Sequence, residues 1–423
     1  MTIQKELADT GTKAREAARK LACLSTDGKN NALRKLAQNL SEHATDILDA
    51  NRADYDDAKA NGMNDAMLDR LLLTEERIRG IAADILSVVA LPDPVGEIFG
   101  MRTMPNGLQI GKKRVPIGVI AAIYESRPNV TVDIASLCLK SGNAVILRGG
   151  KETVRSNMAL TKIIKESIAS EGVPADAVQL IENTSHVLVD ELLKMRGAID
   201  MVIPRGGAGL IKFVRDHAAM PVVAGGIGVC HTYVDAAADL KKAVAIVYNA
   251  KVQRPTVCNA LDTVLVHKDI VETYLPAAAA ELNKAGVELR CDERAIGIIG
   301  GISGLNVKPA VEEDWGKEFL ALIAAVRVVD SLDDALSHIE RYGSGHSEAI
   351  ITEDYSAAMR FLNEVDAAAV YVNASTRFTD GAQFGLGAEL GISTQKMHAR
   401  GPLGLNEITS YKWVIYGSGQ VRP

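Results

Sequence analysis

Apolar positions in the N-terminal part of the chain recur at helical spacing. Leu33, Leu36, Leu40, Ile47 and Leu48 form one series, and Ile78, Ile81, Ile85 and Leu86 another. Residues three and four apart share a helix face, so each series predicts an amphipathic helix. Thr74 followed by Glu75 and Glu76 provides an N-cap oxygen and first-turn acids for the second series. Pro92 and Pro94 end the helical stretch.

From about Gly100 the period changes. Leu108 to Val115 is short, alternating and basic, which predicts one arm of a hairpin. Gly118 to Tyr124 is a continuous apolar run, as expected of a strand buried on both faces. Alternation then sets in: helix over Val132 to Lys140, strand over Asn143 to Leu147, helix over Asn157 to Ser170, strand over Ala177 to Ile181, helix over His186 to Arg196, strand over Ile199 to Ile203 and helix over Gly207 to His217. Strands alternating with helices imply βαβ units and a parallel, doubly wound sheet. The pattern resumes after Gly225 with strands over His231 to Val234, Leu261 to His267, Ala325 to Val329, Ala349 to Thr352 and Ala368 to Tyr371. Helices are expected between them over Ala238 to Lys251 and Ser331 to Tyr342. A second α/β domain is therefore expected after roughly Gly225. Tyr411 to Val421 reads as a strand able to pair with the basic hairpin, within one subunit or across two.

Composition narrows the class. A chain of 423 residues, 47% of them apolar, can bury large cores and predicts two or three domains. A formal net charge of −6 leaves no excess cation for neutralising nucleic-acid phosphates. No apolar run approaches the roughly 18 residues of a membrane span. Lys5, Glu6 and Asp9 stand where a signal peptide would be apolar, so a cytoplasmic protein is expected. The five cysteines, odd in number and with no CxxC pair, suggest free thiols, with neither a disulfide framework nor a zinc site.

Two Gly-rich segments, Leu147 to Glu152 and Ile203 to Gly209, each follow a strand and precede a helix. Glycine lets a ligand approach the backbone, and the free N–H groups of a helix start favour an anion. Arg148 and Lys151 add cations suited to a ribose 2′-phosphate, although two ordinary βα turns with solvated basic side chains would read the same way. Among the thiols, Cys258 lies in Gln253-Arg-Pro-Thr-Val-Cys-Asn259, where Pro255 stops a helix and leaves the cysteine on a loop before a strand. Cys138 sits in an apolar helical run and reads as packing. Cys230, beside Gly228 and His231, suits either a Cys–His pair or a buried small side chain. Spacing alone does not choose among them.

The order of these segments resembles the aldehyde dehydrogenase superfamily. Pro116-Ile-Gly-Val-Ile120, Gly142-Asn-Ala-Val-Ile-Leu-Arg148, the pair Gly225-Gly226, Cys258, Glu318-Phe319 and Asn373-Ala-Ser375 follow one another as they do there. Longer stretches are similar to the glutamate-5-semialdehyde dehydrogenase family within it: Tyr124-Glu-Ser-Arg-Pro-Asn-Val-Thr-Val-Asp133, Gly225-Gly-Ile-Gly-Val-Cys-His231, Arg377 to Gly387 and Ser393 to Pro402. The resemblance covers nearly the whole chain. It implies an aldehyde dehydrogenase-like α/β fold, with a Rossmann-like cofactor domain over 1–101 and 115–225 and an α/β catalytic domain over 226–403. Segments 102–114 and 404–423 would form a small β oligomerisation hairpin.

Carried over by position, the resemblance makes Cys258 the nucleophile. It places Arg148 and Lys151 at the adenosine end of NADPH or NADP, Gly206 and Gly207 at the pyrophosphate, and Glu318 at the nicotinamide ribose. Here Glu318 is followed by Phe319-Leu-Ala where the family has Phe-Gly-Pro. The oxyanion donor falls to Arg127 or Asn129. Val223-Ala-Gly-Gly226 replaces Glu-Leu-Gly-Gly, so the Glu that activates water in aldehyde-oxidising relatives is missing. A thioester that is not hydrolysed can accept hydride, and the expected reaction is NADPH-dependent reduction of L-glutamyl 5-phosphate to L-glutamate 5-semialdehyde in proline synthesis. Arg377, Lys396 and Arg400 are candidates for the substrate's carboxylate or phosphate and Asp380 or Glu389 for its ammonium, with plain ion pairs the competing reading. His231 and His398 suit either proton donation or a structural role. The implied setting is a homo-oligomer with no metal, nucleic acid or membrane, supplied with acyl phosphate by a separate glutamate 5-kinase. An aldehyde-oxidising dehydrogenase and a catalytically silent metabolite-binding scaffold are the competing readings.

Overall fold

Thr74 accepts a hydrogen bond from the backbone N–H of Arg77 at 3.2 Å and starts the helix Glu75–Ala90, whose Ile78, Ile81 and Ile85 face inward. Four earlier helices, Ile3–Leu21, Thr26–Glu42, Ala44–Ala60 and Asp65–Leu71, complete the N-terminal bundle. The computed structural model describes residues 3–422 and divides into two units. The first runs to Ala224 and takes in Gly385–Gly391 and the chain from Leu403 onward; the second comprises Gly225–Phe384 and Ile392–Pro402.

The first unit is built on a four-stranded parallel sheet in the order Val178–Leu180, Ala144–Arg148, Val119–Tyr124, Met201–Arg205. Val119–Tyr124 and Ala144–Arg148 are buried throughout, as their unbroken apolar runs require when helices cover both faces. The helices Asn129–Lys140, Val154–Ser170, His186–Leu192 and Ala208–His217 connect or follow these strands. His186–Leu192 stops short of the expected Arg196, because a run of turns up to Ala198 precedes the next strand. A separate antiparallel sheet joins Ile98–Thr103, Gln109–Pro116 and Thr409–Tyr416. The C-terminal strand thus pairs with the basic hairpin inside one subunit, Trp413 opposite Lys112 and Ile415 opposite Ile110. It ends at Tyr416 rather than Val421, since Gly417 and Gly419 leave the ladder.

The second unit has a seven-stranded parallel sheet in the order Val307–Pro309, Glu288–Cys291, Ile323–Val329, Leu261–His267, Cys230–Val234, Ser347–Ile351, Ala369–Val372. Helices Leu240–Val252, Val271–Lys284 and Glu293–Ile299 contribute to one core of Val, Leu, Ile and Ala side chains; Leu332–Tyr342 and Tyr355–Glu364 contribute to a second around Tyr233 and Phe361. Because these strands are parallel, the loops preceding Cys230, Leu261 and Ser347 gather at one edge of the sheet. Cys258 lies there.

Candidate active site

Pro255 follows the end of the helix Leu240–Val252, and residues 253–260 form a series of turns before the strand Leu261–His267. Cys258 is half-buried on this loop, while Cys138, Cys230 and Cys291 are buried in packed elements and Cys23 is exposed at the far N-terminal helices. Gly228 presses on the loop so closely that a Cβ there would sit 1.9 Å from the carbonyl oxygen of Cys258. The thiol of Cys230 donates to that same oxygen at 3.2 Å. Burial, with help from Glu348 and Asp262, pushes the Cys230 thiol well above its ordinary range, so it keeps the proton it donates.

The residue after the cysteine is locked as well. The buried Asn259 donates from Nδ2 to the carbonyls of Thr379 at 2.8 Å and Arg377 at 3.3 Å, and its own carbonyl accepts from Thr376 Oγ1 at 2.8 Å. Arg377 returns a bond from its guanidinium to Asn259 Oδ1 and places Nε 2.8 Å from Gln253 Oε1. Behind this clamp a polar chain runs from His346 Nδ1 to Ser347 Oγ at 2.8 Å, on to Thr379 Oγ1 at 2.6 Å and to the Tyr371 hydroxyl at 2.7 Å. Burial holds His346 down at about 4, so its ring is neutral.

Glu318 reaches the same edge and accepts from the Gly228 N–H at 3.1 Å; its burial raises its pKa while that bond lowers it. Asp262 lies beneath, accepting from the N–H groups of Phe319 at 3.1 Å and Cys230 at 3.4 Å, with Lys251 Nζ 3.8 Å away. Burial lifts Asp262 to about 6 and lowers Lys251, the direction expected of a charge pair removed from water. His231 is buried against Glu348 at 2.9 Å, a structural contact rather than an exposed proton donor. Lys396 and Arg400 both pair with Asp366, Arg400 at 2.7 Å. Asp380 accepts from the N–H groups of Ala382 at 2.9 Å and Gln383 at 3.2 Å.

In the first unit the strand ends Tyr124, Arg148 and Arg205 bring three turns together. Ser126 adopts φ 46°, and both its N–H and hydroxyl bind Glu152 Oε1 at 2.7 Å. Glu125 Oε2 accepts from the N–H of Gly207 at 2.9 Å, and a Cβ on Gly206 would lie 2.3 Å from that oxygen. Arg148 is buried and donates to the carbonyls of Gly149 at 2.8 Å and Thr184 at 2.6 Å, leaving Nε without a partner, while Lys151 is exposed. Asn129 opens the helix Asn129–Lys140 and donates to Asp133 at 3.0 Å. Burial and the nearby Asp84 carry Asp133 up to about 7. Sequence reasoning missed Glu125, Glu152, Gln253 and Asn259. Only the position of Asn259, a polar residue between Cys258 and an apolar strand, was a usable signal. Among the described residues no group of three or more His, Cys, Asp or Glu is arranged to hold a metal, and no helix is long and apolar enough to cross a membrane.

The chain matches the model of the aldehyde dehydrogenase family over residues 3–297 and 306–414. Its relatives include gamma-glutamyl phosphate reductases of Dehalococcoides mccartyi, 65% identical over 99% of this chain and 98% of the relative, and of Moorella thermoacetica, 55% identical over the full length of both. The crystal structure of the gamma-glutamyl phosphate reductase of Thermotoga maritima superimposes with a TM-score of 0.96 at 49% identity, covering 99% of this chain and 100% of its own. An acetylating aldehyde dehydrogenase of Geobacillus thermoglucosidasius, 18% identical with a TM-score of 0.71 over 100% of this chain and 98% of its own, shares the fold. The chain belongs to the aldehyde dehydrogenase family and, within it, to the gamma-glutamyl phosphate reductases.

Proposed function

We propose that this protein reduces L-glutamyl 5-phosphate to L-glutamate 5-semialdehyde, the second step of proline synthesis from glutamate, with NADPH as reductant and Cys258 as nucleophile. The observation that carries this reading is the setting of Cys258, a half-buried thiol on a loop whose carbonyl and following residue are both fixed. The thiolate attacks the γ-acyl carbon, the bond to the phosphate oxygen breaks, and a thioester remains on Cys258. Bound NADPH supplies the hydride that reduces this thioester. The oxyanion formed at each addition needs fixed donors, a role for Asn129 or Arg127 with the Cys258 N–H. Collapse of the reduced adduct releases the aldehyde and restores the thiolate.

Arg148, Lys151, Gly206, Gly207 and Glu318 would hold the dinucleotide. Their chemistry suits it: the Gly207 N–H already binds an anionic oxygen, Gly206 has no Cβ to obstruct the turn, and Lys151 carries an exposed positive charge. Val223 is buried and apolar where an oxidising relative carries its water-activating Glu, which protects the thioester from hydrolysis. A separate glutamate 5-kinase in the same cytoplasm would make the labile acyl phosphate, and the working form would be a homo-oligomer. Lys396 and Arg400 reach the substrate in this scheme by exchanging Asp366 for its carboxylate or phosphate.

The reverse reaction tests the proposal without the unstable acyl phosphate. NADPH formation from glutamate semialdehyde and NADP is expected only when phosphate is present, and Cys258→Ala is expected to lower kcat by at least about 1,000-fold. Turnover without phosphate would make water the acyl acceptor, and a Cys258→Ala protein of full activity would end the covalent route.

A further inference from the structure

We propose that Arg377 is a positioning residue that clasps the Cys258 loop from both ends and keeps its thiol in a positive field, rather than a ligand of the substrate. This rests on the reading of Cys258 as the nucleophile. Arg377 Nε donates to Gln253 Oε1 at 2.8 Å, ahead of the cysteine, and its guanidinium also donates to Asn259 Oδ1, just after it. The backbone closes the clasp: the Arg377 carbonyl accepts from Asn259 Nδ2 at 3.3 Å, and Thr376 Oγ1 donates to the Asn259 carbonyl at 2.8 Å. A guanidinium is a planar fork of five donors whose fixed spread can span two separated acceptors, whereas an ammonium is a compact point charge. Two of its five donors are thereby committed to the two flanks of Cys258.

The electrostatics point the same way. Burial lowers the Arg377 pKa, as does Arg254, whereas the Asp380 carboxylate and a Cys258 thiolate favour its charged form. Coupling between charges is reciprocal, so the guanidinium favours the thiolate in turn. Cys230 is held protonated by burial, which leaves Cys258 as the thiol that gains. The charged and titratable groups gathered around its loop and the neighbouring Cys230 are Arg254 on that loop, Arg377 and Asp380 on the segment after Ser375, Glu318 bonded to Gly228, and Asp262 and Glu348 beside Cys230 with Lys251 next to Asp262. Arg377 is the cation among them that is bonded to both flanks of the cysteine.

The test is alkylation of the full-length protein by iodoacetamide across pH 5.5 to 9, with the modified peptide identified by mass, beside steady-state kinetics of the reverse reaction. Arg377→Met is expected to slow Cys258 alkylation at pH 7 by about tenfold and to move its midpoint to higher pH. Its kcat should fall by about 100-fold while KM for the semialdehyde stays within about threefold. Arg377→Lys, which keeps the charge and loses one arm, should restore the alkylation midpoint yet leave kcat about tenfold down. Gln253→Ala removes the forward arm without touching the buried end and should reproduce that partial loss, which covers the case of a Met variant that does not fold. A KM raised tenfold or more with an unchanged alkylation profile would make Arg377 a substrate ligand and overturn the proposal. Unchanged alkylation with unchanged kinetics would also overturn it, leaving a purely structural set of hydrogen bonds. The alkylation profile needs no substrate, so it stands apart from the phosphate test of the reaction itself.

Discussion

Gly228 and Cys258 meet backbone to backbone, and that contact sets how precisely the thiol is held. A methyl added at Gly228 would meet the Cys258 carbonyl oxygen at 1.9 Å and its Cα at 2.7 Å, distances that no rotamer change relieves. The loop must move, and with it the Cys230 hydrogen bond and the Asn259 clamp. Gly228→Ala should therefore cost about 2 kcal/mol of stability and about 100-fold in kcat, because a displacement near 1 Å is enough to spoil an attack trajectory. A methyl added at Gly297, inside the helix Glu293–Ile299, would meet nothing within 4 Å. Gly297→Ala should raise stability by about 0.5 kcal/mol and leave kcat unchanged, since it only removes backbone freedom from the unfolded chain. Thermal melts with kcat for both variants decide it: a harmless Gly228→Ala would mean the loop tolerates movement.

At the scale of elements, the helices Glu75–Ala90 and Asn129–Lys140 face each other with a carboxylate on each, Asp84 and Asp133. Burial and Asp84 raise Asp133 from the ordinary carboxylate range to about 7. A carboxyl whose pKa is higher folded than unfolded binds more protons in the native state, so its contribution to stability is full at low pH. That contribution is lost as pH rises from about 4 through about 7. Asp84→Asn removes part of the repulsion, so the fall in stability between pH 5 and 8 should shrink by on the order of 1 kcal/mol. Urea unfolding at both pH values measures it; an identical slope in the variant would mean that burial alone acts. The same elements show what the sequence discloses. Val119–Tyr124, Ala144–Arg148 and Leu261–His267 were legible because strands buried on both faces need unbroken apolar runs. Glu288–Cys291 and Val307–Pro309 were not: both are short, Val307–Pro309 is the edge strand and Glu288–Cys291 its neighbour, and Arg290 and Lys308 both pair with Glu288, charges that hide the period of two. Cys258 could be placed on a loop from Pro255 alone. The Arg377–Asn259 link joins residues 118 apart in sequence, and no local period encodes such a contact.

For the molecule as a whole, the scarcity of aromatics matters. Phe, Trp and Tyr make up only 4% of the chain, yet Phe99, Tyr411 and one of the two tryptophans, Trp413, gather on the three-stranded antiparallel sheet. Alternation along the strand Thr409–Tyr416 puts Tyr411, Trp413 and Ile415 on one face, and they remain 47%, 52% and 54% exposed. Lys112 lies 4.1 Å from the centre of the Tyr411 ring and 5.1 Å from that of Trp413, which orients the rings without covering them. Thr409–Tyr416 is also an edge strand, pairing on one side with Gln109–Pro116 and on the other with no strand among the described residues. An exposed apolar face beside an open edge is a liability that soluble proteins usually cover. A second copy of this chain is the occupant expected here, in line with the proposed homo-oligomer. Since the side chains point outward, Trp413→Glu combined with Ile415→Lys should leave the fold intact and abolish association. Light scattering should then give the double variant the mass of one chain, 45.1 kDa, and the unsubstituted protein a multiple of it. If both elute with the same multiple mass, the sheet is not the contact surface.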